Sequence, residues 1–271
     1  MKIPSTQVGD QLPIGIFDSG VGGLTVLKAL HDRLPAERFL YLGDTARLPY
    51  GSKSAATVRR YALNAAAHLV ARGVKLLVVA CNTASSEALD EVTAASPVPV
   101  VGVVEPGVRA ALATGARRIG VIGTEGTIRS GAYQSTLSRL RPGVEVEAIA
   151  CPLFVPLAEE GWGDHPVTDQ VAHHYLAPLL GWGVETIILG CTHYPLLRPS
   201  LERVAGPSVE LVDSAGAVAA AVLADHADLL TLSGDGSIHL ELTDASERFL
   251  HITQAILGAD PQDLTLVDIG S

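Results

Sequence analysis

One pattern repeats along this chain and limits what it can fold into: a short, wholly apolar run, a turn of small or polar residues, then a stretch with apolar residues at helical spacing. Residues 14–17, 39–42, 76–80 and 98–104 are the first such runs. Residues 24–34, 54–72 and 85–95 are the helical stretches between them. Apolar runs without polar alternation suit strands covered on both faces, and such strands alternating with helices read as βα units around a mainly parallel sheet. The composition agrees. Apolar residues make up 48% of the chain and aromatics only 4%, so Ala, Val, Leu and Ile must fill the core.

The second part of the chain echoes the first. Arg118-Ile119-Gly120-Val121-Ile122-Gly123-Thr124 resembles Ile14-Gly15-Ile16-Phe17-Asp18-Ser19, and the run ending in Gly190-Cys191-Thr192 resembles the one ending in Ala80-Cys81-Asn82-Thr83. Asp18 precedes Cys81 by 63 positions and Thr124 precedes Cys191 by 67. Near-equal spacing of two matches predicts a duplicated half. The expected architecture is therefore two pseudo-symmetric α/β domains with mainly parallel sheets, and an active site in the cleft between them. Residues 1–104 plus 213–271 would form the first domain and residues 105–212 the second. Glu105-Pro106-Gly107 would be the first crossing and Val212-Asp213-Ser214 the return. Ligands of open parallel sheets bind beyond the carboxyl ends of the strands, where both cysteines fall.

Charge and segment lengths narrow the class. The net charge is −10 with no basic run, which argues against a nucleic-acid partner. Residues 1–11 are polar, with no apolar signal region, and the longest apolar runs (76–81 and 215–224) fall well short of the roughly 20 residues a membrane span needs. The expectation is a soluble, cytoplasmic protein with no membrane partner. Three cysteines, an odd number, fit reduced thiols rather than a disulfide framework.

Several segments carry chemistry. The turn Asp18-Ser19-Gly20-Val21-Gly22-Gly23 after the first run matches neither a dinucleotide nor a P-loop fingerprint, but its backbone N–H groups at a helix start suit a small carboxylate. Its bland alternative is a tight turn in which Asp18 only caps a helix. Cys81 sits between a buried run and a helix start, where the helix dipole favours a thiolate; half ionisation at neutral pH requires roughly 2 kcal/mol of such help. Cys191 stands two residues before His193, whose ring can stabilise a thiolate or take its proton. Cys151, followed by Pro152, reads as packing. No zinc-type spacing connects Cys81, Cys191 and His193, and His173-His174 are adjacent, so no metal is expected. The lysines are Lys2, Lys28, Lys53 and Lys75, none at a strand end facing the cleft, which weighs against pyridoxal chemistry.

Four motifs in order then resemble the glutamate racemase family: Phe17-Asp18-Ser19-Gly20-Val21-Gly22-Gly23-Leu24, Gly43-Asp44-Thr45-Ala46-Arg47-Leu48-Pro49-Tyr50-Gly51, Ala80-Cys81-Asn82-Thr83-Ala84-Ser85 and Gly190-Cys191-Thr192-His193-Tyr194-Pro195. The resemblance implies a cofactor-independent racemase with Cys81 and Cys191 as the two proton donors and acceptors. It implies that Asp18 and His193 assist them on opposite faces of the substrate. Ser19, Tyr50, Gly51, Asn82, Thr83 and Thr192 match the family's substrate-binding positions, with Thr124 a weaker match. A glutamate beside the second cysteine has a family role, and Glu159 is preferred to its neighbour Glu160. The histidine at position 193 favours glutamate over aspartate. The resemblance further implies a homodimer that supplies D-glutamate for peptidoglycan synthesis. A single-thiol hydrolase or lyase, and a dicarboxylate-binding module, are the readings from other classes.

Overall fold

The computed structural model describes residues 12–231, 233–245, 247–258 and 263–270. The polar N-terminal stretch, with Lys2, lies outside the described residues. The chain begins β1 (Ile14–Asp18), α1 (Leu24–Arg33), β2 (Phe39–Gly43), α2 (Ala55–Ala71), β3 (Leu76–Val79), α3 (Asn82–Ala95) and β4 (Val100–Gly102). It continues through α4 (Val104–Ala113), β5 (Arg118–Gly123), α5 (Glu125–Ser130), α6 (Ala132–Leu140), β6 (Glu145–Ala150), α7 (Phe154–Glu159), α8 (Pro166–Trp182), β7 (Thr186–Gly190), α9 (Arg198–Ala205) and β8 (Glu210–Asp213). It ends with α10 (Ser214–Asp225), β9 (Ile238–Leu242), α11 (Glu247–Leu257) and β10 (Leu264–Leu266).

Among the described residues the strands form two parallel sheets, in the orders β10-β9-β2-β1-β3-β4 and β6-β5-β7-β8. The shared order, with the first strand inside and the second at its flank, repeats in both sheets. This is the duplicated α/β architecture expected from the sequence. In each sheet the chain leaves the first strand to one side and returns to the other, which opens a crevice at the carboxyl ends of β1/β3 and of β5/β7. The central strands β1, β3 and β7 are buried at every position. Their apolar runs lack alternation because helices cover both faces: α1, α10 and α11 on one side of the first sheet, α2 and α3 on the other. The second sheet is covered in the same way by α7, α8 and α9 and by α4 and α6.

Two local expectations shift. The strand expected over residues 98–104 is only Val100–Gly102, because Val104 already opens α4, and Glu105-Pro106-Gly107 is part of that helix rather than a linker. Proline is tolerated in a first helical turn, whose N–H groups have no partner within the helix. The helix expected from residue 85 begins at Asn82, so Cys81 is its N-cap. At the return, Asp213 accepts hydrogen bonds from Ala215 N and Gly216 N and so starts α10 where the chain leaves the second sheet.

Candidate active site

The carboxyl ends of the two sheets face each other across a narrow cavity of about 20 Å3, room for about one water molecule. Ser19, Tyr50, Gly51, Cys81, Asn82, Thr83, Thr124, Glu159, Cys191, Thr192 and His193 all line it. Of the residues singled out in the sequence, only Asp18 stands behind this wall. Its buried carboxylate accepts from Gly20 N at 3.0 Å and from the Thr192 hydroxyl at 3.4 Å. Gly20, Leu48, Pro49 and Val155 also line the cavity. The sequence singled out none of these four for a role: three lie within motifs quoted for other residues, and Val155 carries only apolar surface.

The first half supplies Cys81 through the end of β3. Its sulfur accepts from Ala84 N and donates to Ser19 Oγ, both at 3.5 Å. Burial pushes this thiol up to about 12, and the Asp18 charge adds to the rise, outweighing the Ser19 hydroxyl and the Ala84 N–H, which can both donate to a thiolate. Desolvation is therefore a larger effect on Cys81 than the help that the helix start gives its thiolate. Asp18 itself is raised above the usual carboxylate range by burial, against the opposing influence of His193 and the Gly23 and Gly20 N–H groups.

The second half supplies Cys191 through the end of β7. His193 Nδ1 lies 3.9 Å from the Cys191 sulfur, and its Nε2 lies 3.3 Å from Glu159 Oε1. Burial alone would lower the imidazole, but Cys191, Glu159 and Asp18 together hold it up to about 10, which favours the charged ring. Glu159 lines the cavity, whereas Glu160 does not and instead lines an outer cleft of about 740 Å3 that also reaches Glu159. Cys151 is buried in the core of the second half. Two of the lysines weighed for a Schiff base are engaged elsewhere, Lys28 with Asp32 and Lys75 with Glu37.

The halves meet closely around the cavity. A Cβ on Gly22 would stand 2.7 Å from His193 Nδ1, and one on Gly51 would stand 2.5 Å from Thr124 Cβ, so both positions require glycine because the opposite half approaches the backbone there. Thr83 Oγ1 meets Thr124 Oγ1 at 2.9 Å and Thr127 Oγ1 at 3.2 Å across the same joint. Tyr50 donates its hydroxyl to the buried Asp44, which Arg47 Nε and Thr243 Oγ1 also contact, each at 3.0 Å. Asp44 and Arg47 lay within a quoted motif, but nothing in the sequence distinguished them as the support for Tyr50.

Two buried thiols, one beside a carboxylate and one beside an imidazolium, with hydroxyl donors between them, can move protons on opposite faces of a small polar substrate. The pattern describing the Asp/Glu/Hydantoin racemase family matches residues 14–222. A glutamate racemase from Geobacter metallireducens is 51% identical over 260 residues, covering 94% of this chain and 96% of that protein. The structure of glutamate racemase from Francisella tularensis in complex with D-glutamate superposes with a TM-score of 0.89 at 36% identity, covering 96% of this chain and 98% of that one. The Thermus thermophilus glutamate racemase, in complex with beta-chloro-D-alanine, gives 0.85 at 48% identity over 95% and 97%. The chain belongs to the Asp/Glu/Hydantoin racemase family and, within it, to the glutamate racemases.

Proposed function

We propose that this glutamate-racemising enzyme works by a cofactor-independent two-base mechanism in which Cys81 and Cys191 exchange protons with opposite faces of the α-carbon. The observation that carries this reading is that both thiols line one narrow cavity, approached from different halves and given opposite electrostatic partners. In one direction the reaction starts from Cys191 as the thiolate beside the His193 ring, with Cys81 as the thiol. The thiolate takes the α-proton of the enantiomer presented to it, and Cys81 gives its own proton to the opposite face. The turnover leaves Cys191 as thiol and Cys81 as thiolate, the form that runs the reverse reaction. Asp18, whose raised carboxyl can hold a proton, takes one from Cys81 when that thiol must act as base. His193, steadied by Glu159, serves Cys191 in the same way.

Charge on the substrate grows as the α-carbon loses its proton, and fixed donors are worth most where charge develops. Ser19, Thr83, Thr124 and Thr192, with the backbone around Tyr50 and Gly51, are the groups proposed to hold the two carboxylates, and Asn82 is proposed to contact the α-ammonium. The division into residues 1–104 plus 213–271 and residues 105–212 is supported by which sheet each strand joins. The reading extends to a homodimer in the cytoplasm whose D-glutamate supplies peptidoglycan synthesis. Among the described residues no helix is long and apolar enough to cross a membrane.

The test is racemisation of L- and D-glutamate in deuterium oxide by metal-free, cofactor-free enzyme and by the Cys81→Ser and Cys191→Ser variants. Each variant is expected to lose at least about a thousandfold in turnover, since serine is a far weaker acid and base at these positions. Near-normal turnover in either variant would overturn the two-base assignment. Repeating the assay with L-aspartate measures how far the cavity discriminates by chain length.

A further inference from the structure

Asn82 is the first residue of α3, next to Cys81, and it is 2% exposed. Its amide nitrogen donates to the Tyr133 hydroxyl at 2.7 Å and to Ser214 Oγ at 3.2 Å, so both amide protons are used. Its Oδ1 is buried and has no partner. A buried acceptor without a donor is costly unless something supplies one. Glutamate brings two carboxylates, which need donors, and one ammonium, which needs an acceptor. The lining hydroxyls are donors for the former, Tyr50 spends its hydroxyl on Asp44, and Glu159 is engaged by His193. The open carbonyl oxygen of Asn82 is the lining group that fits the ammonium.

Tyr133 comes from α6 of the second half, fully buried, and Ser214 is the first residue of α10, where the chain returns to the first half. We propose that Tyr133 and Ser214 are positioning residues for the racemisation: by accepting both Asn82 amide protons they hold its carbonyl oxygen toward the substrate's α-ammonium. The inference rests on the reading of this cavity as the glutamate site. Without the two hydroxyls the amide is free to rotate about its last side-chain bond and offer N–H groups to a cation.

Tyr133→Phe, Ser214→Ala and Ser214→Thr are compared in both reaction directions, with circular dichroism and melting to check the fold. Tyr133→Phe is expected to raise KM for both enantiomers about five- to tenfold, with kcat within about threefold, the size of one lost hydrogen bond between neutral groups. Ser214→Ala moves KM the same way and Ser214→Thr, which keeps the hydroxyl, restores it; this pair decides the matter should Tyr133→Phe not fold. In an Asn82→Ala background, adding Tyr133→Phe is expected to change kcat/KM by less than about twofold, because the group it positions is gone. Full additivity there, a loss confined to kcat, or no rescue by threonine would each overturn the positioning role. If Asn82→Ala alone leaves kcat/KM unchanged, the placement of the substrate falls along with this inference. An impaired Asn82→Ala with an additive cycle sinks the inference alone.

Discussion

At the scale of single residues the site is an electrostatic asymmetry. Cys81 shares its surroundings with a carboxylate and Cys191 with an imidazolium, and burial magnifies both effects because little water screens them. Cys191 raises the imidazole most, and Glu159, 3.3 Å from His193 Nε2, adds to it. Glu159→Gln removes the carboxylate that favours the ring's charged form, so the His193 pKa falls from its raised value of about 10. The alkaline limb of kcat/KM should move to lower pH by roughly one pH unit in the direction initiated by Cys191, with less change in the other. Rate profiles from pH 6 to 11 in both directions check this; an unmoved limb would deny Glu159 its role. The same shift has a sign for stability. The folded value lies above the ordinary 6.5, so the contribution is complete below pH 6.5 and is lost as pH rises to about 10. Urea midpoints of wild type and His193→Asn should converge over that window.

At the scale of elements, caps and buried pairs hold the strand ends where the chemistry needs them. Lys75, just before β3, reaches Glu37 and Thr231 Oγ1, each at 2.8 Å, and ties the start of the cysteine-bearing strand to the loop before β2 and to the segment after α10. Both side chains of the ion pair are almost fully buried. Lys75→Met leaves the Glu37 charge without its partner and is expected to cost about 3–5 kcal/mol, while Lys75→Met combined with Glu37→Leu recovers most of it. Denaturant unfolding of the three variants measures this, and a single variant as stable as wild type would contradict it. The sequence identified Lys75 only as an unsuitable Schiff-base lysine, because its partner lies 38 positions away. Helix starts were legible only approximately: α3 was expected from residue 85 and begins at Asn82, and Thr124 and Asp213 were not singled out as caps.

At the scale of the whole molecule, the cavity is narrow and lined from both halves, so opening of the joint between them is the expected route of entry. Cys81 and Cys191 are 4% and 6% exposed, and Cys151 is fully buried. A thiol reagent such as Ellman's should therefore react with the native enzyme only as fast as the halves open. Saturating D-glutamate is expected to slow labelling of Cys81 and Cys191 at least about tenfold and to leave Cys151 unaffected. Fast, ligand-independent labelling of either of these two thiols would mean the site is open at rest. Contacts that close the joint, such as Thr83 with Thr124 and Thr127, join residues more than forty positions apart and had no signature in the chain beyond polar residues after apolar runs.

The alternation of buried runs with helices, the echo between residues 14–19 and 118–124, and the cysteines closing two matched runs determined the βα architecture and its duplication, because these are local or periodic properties of the chain. They also placed both thiols at strand ends. Only the tertiary structure decided the charge each thiol experiences, since desolvation and the proximity of Asp18, His193 and Glu159 depend on how two sheets face each other. The same packing turned Gly22 and Gly51 into contact points and joined Asn82 to Tyr133 and Ser214. Spacing along a chain fixes which strand a residue ends, but the field at that residue is a sum over groups that meet only when the chain has folded.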